Sequence, residues 1–342
     1  MLYHGWDIGG AHVKHARVDA AGRVLEVEQR ACALWQGLAS LDAVLGALVH
    51  ASHKTPGRHA VTMTGELCDL FATRAEGVSA ILTVLSRHLG PQLAVFSRRG
   101  FLSMDEACAE PDAVASMNWQ ATARDIAERL DSGLLLDIGS TTTDIVPVID
   151  GAVRARAERD GTRLACGELV YTGVCRTPVM AIAMQAPFAG GWRGLTAEYF
   201  ANMADVYRVT GDLPEGADDF PTADQRPADV LHSRARLARM LGEDAPAADD
   251  EALRAFAHYL SQCQLQRIEQ GLALVASAQP RRLAGTLLVG AGVGSFLVPT
   301  LAARCGGLAT DYASLCGVPA RTAVNVCAPA VAVARLCGRH AP

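Results

Sequence analysis

Asp7 ends an apolar run in GWDIGGAHVKHARV, Gly5 to Val18, and Gly9, Gly10 and Lys14 follow it; in LLLDIGSTTTDIVPV, Leu134 to Val148, Asp137 and Gly139 repeat the spacing, with Ser140, Thr141, Thr142, Thr143 and Asp144 after the glycine. Glycine lets a chain turn sharply with no side chain between its backbone N–H groups and an anion, so both turns are suited to polyphosphate. The hydroxyls of the second turn add donors for phosphate oxygens. Asp7 and Asp137 close their strands at equivalent points, and two-fold-related hairpins would aim both carboxylates at one spot. A pair of carboxylates that leaves room for water and phosphate oxygen suits Mg²⁺. A lone Asp-Ile-Gly is an ordinary strand-end turn; two copies and a threonine run are not. Lys14 is one of only two lysines against twenty-nine arginines, and it reads either as a compact positive charge beside phosphate or as a solvated strand residue. His12 and His15 flank it and read as solvated or core-edge histidines. A third glycine cluster, Gly290, Gly292 and Gly294, follows an apolar strand and precedes a helix, the context in which a turn presents a helix N-terminus to a ligand.

These turns need strands to carry them. Alternation of apolar residues predicts strands at Leu2–Ile8, Val13–Val18 and Val24–Val27, and then Leu38, Leu41, Val44, Leu45 and Leu48 recur at helical spacing. Strand returns at Ala60–Thr64 and Leu93–Phe96, and helices are expected at Val78–Leu89 and Gln120–Leu130. The Asp-Ile-Gly hairpin then recurs, and a turn at Asp150-Gly151 echoes Asp19 to Gly22, so the chain reads as a domain-level duplication. Residues Gly211 to Pro227, rich in Asp and Pro, form a surface insertion between helices at Ala197–Arg208 and Ala228–Leu241. A long helix from Asp250 to about Ala276, a strand at Leu283–Val289 and a last core helix at Thr322–Arg339 complete the pattern.

With 342 residues the chain exceeds one ordinary core, and two domains are expected, residues 1–130 and 131–342, with the last helix able to cross back to the first. Half of the residues are hydrophobic and a fifth charged, with a net charge of −5, a composition that describes a soluble globular protein and offers no basic stripe for nucleic acid. No apolar run reaches about 18 residues and no leader pattern opens the chain, so neither a membrane nor a secretory route is expected. Ten cysteines without any CxxC fit a reducing cytoplasm. The evenly spaced Cys305, Cys316, Cys327 and Cys337 match no metal site and read as small buried hydrophobes.

The three loops in this order, DIGG, DIGSTTTD and VGAGVG, resemble the phosphate-one, phosphate-two and adenosine motifs of the acetate kinase, sugar kinase, heat-shock and actin superfamily across the whole chain. That resemblance implies an α/β fold of the actin-like ATPase type: two duplicated domains of mixed sheet flanked by helices around a central cleft. More narrowly, TMTGELCDLF (Thr62 to Phe71), MNWQATA (Met117 to Ala123), GELVYTGVCRTPV (Gly167 to Val179), DVYRVTGDL (Asp205 to Leu213) and RLARMLGED (Arg236 to Asp244) resemble the hydantoinase/oxoprolinase-like family of tetrahydromethanopterin-linked one-carbon pathways. The first loop departs from that family, with AHVKH in place of a small polar residue and threonine before the lysine.

What the resemblance implies is a transferase of methanofuran and methylofuran biosynthesis. The phenol of a γ-glutamyl-tyramine would displace pyrophosphate from an aminomethyl-furan methanol diphosphate and form an aryl-alkyl ether. Mg²⁺ at Asp7 and Asp137 would accompany the diphosphate, with ATP or another nucleotide allowed but not required. The phosphate cradle would comprise Gly9, Gly10, Lys14, Gly139 and Ser140 to Thr143. Phenol is a weak nucleophile at neutral pH, so a base is needed, and Asp144, Glu66 and Glu168 are the candidates in that order. Asn118, Tyr171, Arg176, Gly290, Gly292 and Gly294 are expected at the organic end of the substrate. Arg226, Arg234 and Arg236 offer bidentate partners for a glutamyl carboxylate or else stay solvated. Two small-molecule substrates are the expected partners, without nucleic acid or membrane, and a homodimer is compatible. An ATP-dependent kinase or an oxoprolinase-type hydrolase uses the same loops and is the first alternative. A nucleotide-switched chaperone or filament protein is the second, disfavoured because no peptide-binding segment follows the last core helix.

Overall fold

A computed structural model describes residues 1–52, 56–244, 250–279, 283–319 and 322–340. Its contacts gather into two compact units, one of residues 1–135, 146–154 and 311–342 and one of residues 136–145 and 155–310.

In the first unit β1 (Leu2–Ile8), β2 (His12–Asp19) and β3 (Val24–Ala31) form a meander, followed by α1 (Leu38–Ser52), β4 (Arg58–Met63), α2 (Arg74–Leu89), β5 (Leu93–Ser97) and β6 (Gly100–Leu102). Short helices α3 (Met104–Ala109) and α4 (Pro111–Val114) lead to α5 (Asn118–Ala127). The sheet order is β3-β2-β1-β4-β5-β6, antiparallel through the meander and parallel from β1 to β4 and β5, where α1 and α2 supply the crossovers that parallel pairing requires.

The apolar register fixes which side of β1 is core. Trp6 and Ile8 pack with Leu41, Leu45, Ile81, Leu82 and Leu85 of α1 and α2. The same face carries an imidazole cluster: His4 Nδ1 lies 3.0 Å from His15 Nε2, and Trp6 Nε1 donates to His59 Nδ1 at 3.1 Å. His15 is therefore a core residue, with Trp6 stacked 4.3 Å from it between ring centres. The alternate face, with Gly5 and Asp7, meets the C-terminal helix. That helix is divided, α11 (Tyr312–Leu315), α12 (Thr322–Val326) and α13 (Ala328–His340), where a single helix is expected from Thr322 on; Pro329 in its first turn lacks an N–H and suits a helix start rather than a helix interior.

Strands β7 (Gly133–Ile138), β8 (Thr143–Ile149) and β9 (Ala152–Val153) repeat the opening meander. There follow α6 (Asp160–Cys166), β10 (Leu169–Val170), a hairpin of β11 (Gln185–Phe188) and β12 (Gly191–Gly194), α7 (Met203–Thr210), α8 (Val230–Met240), α9 (Asp250–Ser277), β13 (Leu287–Ala291), α10 (Val298–Cys305) and β14 (Leu308–Asp311). The second sheet runs β10-β8-β7-β13-β14 with β9 also on β8, the order of β3-β2-β1-β4-β5 over again. The chain thus has the α/β actin-like ATPase fold. Residues 211–227 form the expected insertion, and ion pairs fasten it: Arg208 to Asp218 at 2.8 Å and buried Arg236 to Asp224 at 3.0 Å. Among the described residues no helix is long and apolar enough to cross a membrane.

Candidate active site

The two hairpins share one backbone design. Gly9 N donates to His12 O at 2.9 Å and Gly139 N to Thr142 O at 2.8 Å. In each, the carbonyl before the glycine is bound by the end of a neighbouring strand: Thr64 N donates to Ile8 O at 2.9 Å and Gly294 N to Ile138 O at 2.7 Å. The repeat visible as Asp-Ile-Gly is therefore a repeat of hydrogen bonds. A Cβ on Gly10 would stand 2.8 Å from Cys68 Sγ, so the first turn has no room for a side chain there.

In the first unit Asp7 is buried, with Lys14 Nζ 3.4 Å from Oδ2, while its Oδ1 has no hydrogen-bond partner. Burial raises the Asp7 pKa, and Lys14 opposes the rise. Thr62 pairs with Asp7 across β1 and β4 and its buried Oγ1 is equally unsatisfied. Two orphan oxygens on adjacent strands are a cost in a closed protein and an asset where an oxygen-seeking cation or its water shell is received. The donor chemistry thus fits Mg²⁺, although among the described residues no group of three or more His, Cys, Asp or Glu stands ready as a complete cage. Thr62 escapes sequence reasoning because a strand threonine carries no signal of its own; its register with Asp7 is the only clue.

Glu66 lies in the turn after β4, buried, accepting from Ser116 Oγ at 3.0 Å with Oε2 unsatisfied. Burial raises its pKa, with the Ser116 hydrogen bond opposing. Ser116, which sequence reasoning missed, adopts φ 56°, a left-handed conformation that favours glycine, so strain accompanies its position beside Glu66. Asn118 opens α5 and its side-chain oxygen accepts from Trp119 N at 2.7 Å, a contact local to the helix start.

In the second unit Ser140, Thr141 and Thr142 occupy the partly exposed hairpin tip, but Thr143 does not join them. Its buried hydroxyl donates to Thr172 O at 2.8 Å, and residue 143 is the first of β8. Asp144 Oδ1 is held by Arg163 Nη1 at 2.7 Å. Burial raises the Asp144 pKa, with Arg163 opposing. The two oxygens of Glu168 accept from Arg156 N at 2.6 Å and Ala157 N at 3.2 Å and fasten the 155–157 segment.

The third glycine loop packs on the second. At Gly292, with φ 76°, a Cβ would stand 2.5 Å from Asp137 Oδ1, and at Gly294 one would stand 2.8 Å from Val174 Cγ1. Gly290 lies inside β13, with Val298 of α10 3.0 Å from where its Cβ would be, so it packs closely on that helix. Residues 173–176 buttress the hairpin from the other side, with Arg176 N donating to Ser140 O at 2.9 Å and a Gly173 Cβ placed only 2.6 Å from Gly139 O. Gln264 of α9 holds this buttress, donating to Thr172 Oγ1 at 2.7 Å and Gly173 O at 2.8 Å, and Tyr207 donates to Gln264 in turn. Arg176 itself stacks on Phe220 of the insertion at 5.1 Å, and Tyr171 projects into solvent with 66% of its surface exposed. Of the three arginines considered for a substrate carboxylate, Arg236 is fully buried between Asp205 and Asp224 and Arg234 pairs with Asp250 at 2.8 Å; both are spent internally.

The chain is 33% identical over 278 residues, 81% of its length and 82% of the relative's, to the (4-{4-[2-(γ-L-glutamylamino)ethyl]phenoxymethyl}furan-2-yl)methanamine synthase of Methanocaldococcus jannaschii. It is 34% identical over 120 residues to the protein of the same name from Methanococcus vannielii, 35% of this chain and 54% of that one. Among solved structures, nucleotide-free acetone carboxylase superposes with a TM-score of 0.53 at 10% identity over 98% of this chain and 70% of the other. The ethanolamine utilization protein EutJ from Carboxydothermus hydrogenoformans does so with 0.51 at 10% identity, covering 98% and 90%; both speak to the fold alone. The hydantoinase/oxoprolinase family model matches residues 58–339, and the chain belongs to that family.

Proposed function

We propose that this protein forms an aryl-alkyl ether, joining the phenol oxygen of a γ-glutamyl-tyramine to the methylene carbon of an aminomethyl-furan methanol diphosphate. The observation that carries this reading is the 33% identity over four fifths of both chains to the phenoxymethyl-furan methanamine synthase. In the reaction the phenol C–O bond to the furan methylene forms, the bond from that carbon to the diphosphate oxygen breaks, and pyrophosphate and the phenolic proton are released. The glycine turns at Gly9-Gly10 and Gly139 suit the leaving group, since a turn without side chains lets amides approach charge that develops on the departing oxygen. Asp7 of the first hairpin and Thr62 of the adjacent β4 are the residues that would hold Mg²⁺, with Asp137 the same donor type in the second hairpin; the ion would supply charge neutralisation to the diphosphate. Lys14 adds a fixed positive charge beside Asp7.

The proton leaves the phenol to a carboxylate. Asp144 and Glu66 are both carboxyls whose pKa burial has raised; Glu66 Oε2 has no hydrogen bond among the described residues, and Arg163 holds the Asp144 carboxylate in one orientation.

Supplying both substrates with Mg²⁺ and following the product by mass spectrometry tests the proposal. The expected result is the ether together with one pyrophosphate per product, lost in Asp137→Asn. Steady ATP hydrolysis or phosphoryl transfer, with no ether formed, overturns it.

A further inference from the structure

In the first unit a cavity of about 630 Å³ opens where the β5-β6 hairpin, α5, the β9 turn and the end of α13 meet. Phe96 and Phe101, edge to face at 5.6 Å, form its apolar wall, and Gln120 and Arg124, one turn apart on α5, its polar one. Its volume is that of a site for a small organic ligand. None of its lining residues belongs to the three glycine loops.

Two groups in the wall lack what burial demands. Arg124 lies over the Phe96 ring, 5.3 Å from its centre, and gives a hydrogen bond to the Arg98 carbonyl, yet no carboxylate faces it among the described residues. The other charged groups of the cavity are matched: Arg99 pairs with Glu110, and Glu128 with Arg339 and His340. Desolvation lowers the pKa of Arg124, the direction expected for a half-buried cation without a counter-ion. Gln120 Oε1 is buried and accepts no hydrogen bond. An unmatched guanidinium beside an unmatched amide oxygen asks for an anion that also carries an N–H or O–H.

We infer that this cavity is a second ligand site, for a small aromatic carboxylate bearing a hydrogen-bond donor, its carboxylate on Arg124, its ring against Phe96 and Phe101 and its donor on Gln120. The site stands apart from the ether-forming reaction and does not depend on that reading.

Titration calorimetry with 4-hydroxyphenylacetate, its neutral amide, phenylacetate and inorganic phosphate tests the assignment on the full chain. The hydroxy acid should bind, and removing the carboxylate charge or replacing Arg124→Gln should weaken it at least about tenfold, with Arg124→Lys recovering part of the loss. Gln120→Leu should erase the preference for 4-hydroxyphenylacetate over phenylacetate while leaving phenylacetate binding in place, and this variant decides the matter should Arg124→Gln fail to fold. Absence of heat with the hydroxy acid at millimolar concentration, equal binding of the amide, or binding of phosphate alone overturns the inference.

Discussion

Asp7 is buried, ionisable and satisfied on one side only, by Lys14 at 3.4 Å. Because its pKa is raised on folding, the folded chain binds the Asp7 proton more tightly than the unfolded chain does. The ionised group therefore weakens the fold at neutral pH, and the penalty fades as pH falls through the folded pKa toward the ordinary value of 3.8. Asp7→Asn removes the charge and keeps the shape, so it should stabilise the protein by about 1 kcal/mol at pH 7 while abolishing turnover. Thermal melts and the ether assay on one preparation check both halves, and a destabilised Asp7→Asn would mean that the Lys14 pair outweighs the burial. At this scale the sequence is legible only where types recur in register. Asp7 and Asp137 stand out because Ile-Gly follows each, but Arg163, in a polar segment beside Asp160, reads as solvated and only the fold brings it to Asp144. Thr143 and Glu168 show a limit of another kind, since a hydroxyl or carboxylate in a motif reveals its type and not the backbone group it bonds.

Helix α13 reaches β1 because Gly5 leaves the strand bare. A Cβ at residue 5 would overlap the Ala330 carbonyl oxygen and stand 2.8 Å from Ala334 N, both backbone atoms that cannot swing aside. Gly5→Ala should therefore cost about 3 kcal/mol and deprotect the α13 amides in hydrogen exchange. Gly46→Ala provides the opposite case: in α1 the added methyl meets His88 Cε1 at an ordinary 3.6 Å, and the variant should gain about 0.5 kcal/mol from helix propensity. Equal melting curves for the two would refute the packing argument. The long elements, β1, β2, α2 and α9, are legible from their runs and periodicity of apolar residues, β1 being buried on both faces. The short hairpin of β11 and β12 is not, because four-residue strands with Pro187 and three glycines nearby carry no alternation to read. The strand expected at Leu283–Val289 begins at Leu287, and residues 280–282 fall outside the described chain.

For the molecule as a whole, acid stability turns on the core imidazoles. His15, with 2% of its surface exposed, is packed among His4, His59 and Trp6 with Arg17 along the strand, and burial first, then the charges of those neighbours, pushes its pKa down to about 3 from 6.5. A histidine whose folded pKa lies below its unfolded one gives its full stability above pH 6.5 and loses it as pH falls toward 3, because the unfolded chain takes up the proton first. Asp7 runs the other way, gaining stability as acid protonates it, so the two contributions oppose in the range where both titrate. His15→Phe keeps an aromatic ring beside Trp6 and removes the titration. The stability of the parent relative to this variant should fall by about 1.4 kcal/mol for each pH unit below 6.5, read from urea midpoints between pH 7 and 4.5. A difference that stays constant across that range would mean that His15 carries its proton inside the fold, and the neutral imidazole core would have to be abandoned.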